Sequence, residues 1–276
     1  MKNLHSGLLL FFVTICFVAT GCSISETKKA NALVDQIQNN IESGNYCDAI
    51  LLIDSLNKTF PEQTEARKTT LLSRAQAMEG LIRDSIYITE TEMVKVQLEL
   101  DSLKQFFIPV QERNLPGYII DKTVKDVNLL KGNAIQPRLG DALSPWVLEV
   151  STTGKSEIYG LQTTIDGHII DIRANNAQNR RVEGSGIEML SFSCDEVDIL
   201  GNSLSGFSSQ PLKLTVLGNK KNVEIIVSPE IQNAIWRTYR FALLRDNNQK
   251  LHAKRELLER KLIVAQNQIV NFQTLE

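Results

Sequence analysis

Apolar residues recur at alternating three- and four-residue steps in two well-separated stretches of this chain. In the first, Ile82, Ile86, Met93, Val96, Leu100, Leu103 and Phe107 fall on one stripe, broken only at Thr89. In the second, Leu244, Leu251, Leu258, Leu262, Ala265, Ile269 and Phe272 do the same, with Asn248 and Arg255 as polar breaks. A period of this kind, kept over about four heptads, predicts helices that pack as a coiled coil. Gly80 costs about 1 kcal/mol inside such a helix and marks a kink.

Between the stripes the period drops to two. Trp146–Val150, Glu157–Leu161, His168–Ile172, Leu212–Val216 and Val223–Val227 are short β-rich runs. Gly186–Cys194 alternates, with Glu188, Leu190, Phe192 and Cys194 on one face and Ile187, Met189, Ser191 and Ser193 on the other. Asp166-Gly167 and Gly218-Asn219-Lys220-Lys221 are hairpin turn signals. Six of the 7 prolines and eleven of the 15 glycines lie between Pro109 and Pro229, so turns concentrate there and the flanks are free to be continuous helix. Strands at this spacing without intervening helices predict an antiparallel sheet, sandwich or small barrel.

Ahead of the first stripe, Ala30–Glu42, the turn Ser43-Gly44-Asn45-Tyr46, and Cys47–Phe60 before Pro61 predict a helical hairpin. Tyr46, Ile50, Ile53 and Leu56 stand at core spacing. The expected class is α+β. Residues 30–61 form the hairpin, 62–108 a long helix, 109–229 an inserted antiparallel β module, and 230–276 a second long helix. The two long helices pair as an antiparallel coiled coil.

Charge supports that pairing. Residues 79–101 carry a local −4 and residues 231–261 a local +5. Opposite signs favour association of the two helices with each other over self-association of either. The basic stripe otherwise reads as a solvated face, with an acidic partner or lipid headgroups as lesser readings. The whole chain has a formal net charge of −2 and is 42% hydrophobic, which gives no general attraction to nucleic acid.

The N-terminus has Lys2, an apolar run from Leu8, and the small residues Ala19-Thr20-Gly21 before Cys22. This three-part plan is that of a secretory signal, and the run is short for a membrane span. With Cys22 at the cut, it resembles the lipobox of bacterial lipoproteins. The resemblance implies removal of residues 1–21, acylation of Cys22, and a tether over 22–29. Ser23, in place of an acidic residue, implies by the same resemblance an outer-membrane destination in a diderm bacterium. Gly44-Asn45-Tyr46, Ala49 and Phe60-Pro61 resemble one tetratricopeptide hairpin, although no second copy follows at that period.

Chemistry-bearing residues are sparse. His168 and His252 are isolated, and no CxxC or metal spacing occurs. With Cys16 removed in the signal and Cys22 acylated, Cys47 and Cys194 are the remaining thiols; they either pair or stay free and buried. Cys194-Asp195-Glu196-Val197-Asp198 gathers three carboxylates at a strand end, where a solvated turn is the commoner outcome. Gly184-Ser185-Gly186 and Gly201–Gly206 read as small-residue loops without a phosphate-binding lysine. The expectation is a non-catalytic envelope lipoprotein with a structural or protein-interaction role. It needs no cofactor and no metal, meets the membrane through Cys22, and meets other envelope proteins through its folded part; its oligomeric state stays open. The alternative is a glycan or peptide binder. Its candidate surface on the β module comprises Trp146, Tyr159, Phe207, Asp195, Glu196 and Asp198.

Overall fold

The computed structural model describes residues 25–111, 117–140, 146–175, 180–182, 186–204 and 209–274. The class is α+β, with helices at both ends and strands between. Two compact units form: the described residues up to Glu92 with those from Leu251, and Met93–Lys250.

In the first unit, helix α1 covers residues 25–42 and α2 covers Tyr46–Thr59. Their turn is a Schellman motif. Gly44 has φ +76°, its N–H donates to the Ile41 carbonyl at 3.1 Å, and the Asn45 N–H donates to the Asn40 carbonyl at 2.8 Å. A residue with a Cβ resists that left-handed backbone. Ala30 and Ile37 of α1 pack with Ala49, Ile53 and Leu56 of α2, the face expected from their spacing. Helix α3, Thr64–Lys104, is unbroken through Gly80. The reason for this glycine is space: a Cβ there would collide with the ring of Tyr46. Arg74 pairs with Asp54 at 2.5 Å, fastening α3 to α2. The last helix, α5, spans Pro229–Gln273. Within this unit Arg255 Nε donates to Glu90 Oε1 at 2.9 Å, and Gln266 Nε2 to Glu79 Oε1 at 3.2 Å. Numbers rise along α3 as they fall along α5, so the helices lie antiparallel. Ile82, Leu251 and Ala265 are buried, and so is Thr89, whose hydroxyl donates to the Ser85 carbonyl at 2.7 Å.

In the second unit the strands are β1 Phe107–Val110, β2 Tyr118–Asp121, β3 Ala134–Gly140, β4 Trp146–Thr153, β5 Ile158–Ile165, β6 His168–Arg173, β7 Arg180–Val182, β8 Ile187–Ser193, β9 Leu212–Gly218 and β10 Val223–Val227. They build two antiparallel sheets, ordered β1-β2-β3-β4-β8-β7 and β10-β9-β5-β6. The β5–β6 turn has positive φ at Asp166 and Gly167, and β9 and β10 pair as the expected hairpin. Leu190 and Phe192 of β8 are buried beside Leu148 and Val150 of β4, as the alternation of the run requires. The first turns of α5 close a smaller core in which Ala234 joins Ile120 and Val124. Arg240 meets Glu99 bidentately at 2.6 and 2.8 Å, so α3 and α5 are antiparallel here also.

Three expectations are corrected, and strand β3 was not foreseen. Helix α3 stops at Lys104, and Phe107 leaves its stripe to start β1, stacked on Phe241 at 4.8 Å. The β region is not free of helix: α4, Cys194–Ser203, lies between β8 and β9. Cys194–Asp198 is therefore a first helical turn, and Gly201 is inside a helix, where the Tyr239 Cγ would stand 2.5 Å from a Cβ. Strand β3 contains Pro137, which pairs with Leu148 of β4 but lies beyond the residues of β3 that pair with β2. A proline is tolerated there because no second ladder needs its missing N–H. Cys47 and Cys194 are free thiols, and Cys47 is exposed, so it is not the small core residue expected.

Candidate functional site

The carboxylates of α4 diverge. Glu196 Oε2 accepts from the Ser193 N–H at 2.8 Å and its Oε1 from the Asn175 N–H at 2.5 Å, so it caps its own helix and holds the end of β6. Asp198 Oδ1 accepts from Trp146 Nε1 at 2.8 Å. Asp195 is exposed and takes a weak contact from Cys194 Sγ at 3.6 Å. Burial first, and then the negative charge of Asp195, push the Cys194 thiol up, away from the reactive thiolate. Among the described residues no group of three or more His, Cys, Asp or Glu is placed to hold a metal ion.

Trp146 is 1% exposed and meets Tyr239 edge to face at 6.1 Å. It belongs to the core, with its indole N–H satisfied by Asp198, and is withdrawn from the candidate surface. Phe207 and Cys22 lie outside the described residues.

Tyr159 remains, half-buried on β5, with the Arg173 guanidinium 5.0 Å from its ring centroid. Arg173 also pairs with Asp171 at 2.7 Å. The Tyr159 side chain, followed by Asp171, raises the already high pKa of Arg173. This pair stands on the outer face of the four-stranded sheet. Ladder register sets Glu224, Thr215, Gln162 and Asp171 in one row across it, while Leu161, Val216, Ile172 and Ile225 point to the buried side. Ile169 and Ile226 project from the two edge strands at 71% and 65% exposure. Such a face offers hydrogen-bonding groups, an aromatic ring and a guanidinium.

Three buried polar arrangements were invisible to motif reading. Glu188 is 2% exposed, and its carboxylate accepts from the backbone N–H groups of Ser156 and Glu157 at 3.0 and 2.8 Å. It locks the turn that leads into β5, where Glu157 has φ 56°, and so ties one sheet to the other. A lone carboxylate on the core face of an alternating strand was its sequence signal. Asp121, fully buried, accepts from the N–H of Thr123 at 2.9 Å and from Arg237 at 2.5 Å. Arg138 lies over the Tyr118 ring at 4.4 Å, donates to Gln136, and sits 2.9 Å from Glu149 as a charge contact. In each case the buried polar groups meet their partners inside the fold: backbone N–H groups at Glu188, and an arginine at Asp121 and Glu149.

No protein family, curated protein or solved structure matches the chain.

Proposed function

We propose that this protein is a lipid-anchored component of a bacterial cell envelope that acts by binding other macromolecules and is not an enzyme. The observation that carries the reading is Ala19-Thr20-Gly21-Cys22 at the end of a short apolar run behind Lys2. Acyl chains contribute about 0.8 kcal/mol per buried CH₂, so a multiply acylated Cys22 is a stable tether. No described helix is long and apolar enough to cross a membrane. Replacement of Cys22 by Ala is expected to abolish labelling by a radioactive fatty acid and to move the protein out of the detergent phase. Unchanged labelling and partitioning would exclude the anchor.

A second reading, in which the β module takes a glycan or peptide, draws on the open outer face of β10-β9-β5-β6. It predicts that Tyr159→Ala and Arg173→Ala weaken sedimentation with isolated cell-wall polymer. Equal sedimentation of parent and variants would leave only the first reading.

A further inference from the structure

The helical unit presents a face that carries both signs of charge with apolar residues between them. The Glu79–Gln266 and Glu90–Arg255 contacts share one register, because α3 advances by as many residues as α5 recedes. That register sets Ile88 level with Leu257, and Asp84 level with Lys261. At 100° per residue, Ile88 and Glu92 turn to the same side of the antiparallel pair as Lys254, Leu257, Lys261 and Val264. Ile88 is 61% exposed, Leu257 49% and Val264 57%. Asp84, Glu92, Lys254 and Lys261 are exposed, and their charges meet no opposite charge among the described residues.

Along the paired stretch, residues 79–92 of α3 and 251–266 of α5, the other lysine, arginine and carboxylate charges are matched within the chain. Arg255 is shared between Glu90 and Glu259, and Arg83 pairs with Glu79. Along that stretch the unmatched charges are sorted by helix: acidic on α3, basic on α5. A surface for anionic lipid would not carry Asp84 and Glu92 beside its lysines. A second copy of this chain fits better. A two-fold axis parallel to the helices keeps every residue at its own level and sets α3 of each copy over α5 of the other. Asp84 and Glu92 of one copy then face Lys261 and Lys254 of its partner twice over, with Ile88, Leu257 and Val264 enclosed between them. This is the self-complementary arrangement that closes a dimer without leaving a free binding face.

We propose that the protein forms a two-fold homodimer through this face of α3 and α5, with the α3–α5 pairing inside each chain intact. The inference does not depend on acylation of Cys22. The test uses full-length chains in detergent solution, with mass read by sedimentation. The parent is expected at twice its 31.0 kDa, dissociating on dilution and in high salt. Lys254→Glu with Lys261→Glu gives an all-acidic face, and Asp84→Lys with Glu92→Lys an all-basic one. Each double variant alone is expected to be monomeric, with dimer affinity reduced at least tenfold. An equimolar mixture of the two, carrying different tags, is expected to regain the dimer as a heterodimer only. Recovery in the mixture also shows that both variants fold. A monomeric parent, dimers of either variant alone, or a mixture that stays monomeric would each overturn the proposal. So would a monomeric parent that binds phosphatidylglycerol vesicles through the lysine row, which would assign the face to lipid.

Discussion

At the residue scale, two glycines in helices are explained by an aromatic neighbour. Gly80 gives room to Tyr46, and Gly201 to Tyr239. In an open helix, glycine to alanine gains about 0.5–1 kcal/mol. Overpacking costs about 1–3 kcal/mol, so against a fixed ring the loss wins. Gly80→Ala is therefore expected to lower the thermal midpoint in the parent background. In a Tyr46→Ala background the same substitution is expected to raise it, because the obstructing ring is gone and only helix propensity is left. Circular dichroism melts of the four proteins measure that coupling, and the same sign in both backgrounds would show that Tyr46 is not the constraint.

The elements were legible where local period alone decides burial. Along α3 the predicted stripe is inward at Ile82, Thr89, Val96, Leu100 and Leu103, and the polar break at Thr89 is accommodated by a backbone hydrogen bond. The hairpin β5–β6 followed from Asp166 and Gly167, which take positive φ, and β9–β10 from the turn at Gly218, where a Cβ would collide with the Ser156 carbonyl. Helix α4 was missed because Asp, Gly, Asn and Ser dilute its helical signal, although Ser193 and Glu196 stand at the spacing of a capping box. Strand β3 was missed because Pro137 argues against a strand unless its pairing partners are known. Cross-element pairs are beyond any local period: Arg237 and Asp121 are 116 residues apart. For the same reason the candidate surface was only partly legible. Trp146 was recognisable as a β-run aromatic, but its burial depends on α4 and Tyr239.

The Glu99–Arg240 pair gives this scale its own test. The Arg240 hydrogen bond holds the Glu99 carboxyl below its ordinary value near 4.5, against the opposing effect of partial burial. A carboxyl depressed in the folded state contributes stability above its ordinary pKa, and that contribution is lost as pH falls through the folded value. Both side chains are more than a third exposed, so solvent screening holds the contribution to about 1 kcal/mol or less. Glu99→Gln is expected to lower stability slightly at pH 7 and not at pH 3. Urea denaturation at the two pH values checks this, and an equal loss at both would assign the effect to packing instead.

At the scale of the whole molecule, α3 and α5 are each continuous through residues assigned to both units. Helix formation propagates cheaply from an existing turn and is costly to nucleate, so a helix shared by two units passes stability from one to the other. Both tryptophans, Trp146 and Trp236, lie in the unit Met93–Lys250, whereas the α1–α2 hairpin lies wholly in the other. Indole fluorescence thus reports one unit, and helix ellipticity reports both. Ile53→Ala removes a side chain that is 1% exposed in the hairpin core, and is expected to cost about 2–5 kcal/mol in that unit. Coupled units will show a lower fluorescence midpoint in urea, coincident with the midpoint from ellipticity. If fluorescence keeps its parental midpoint while ellipticity falls in an earlier step, the shared helices fray at the boundary and the two units unfold separately.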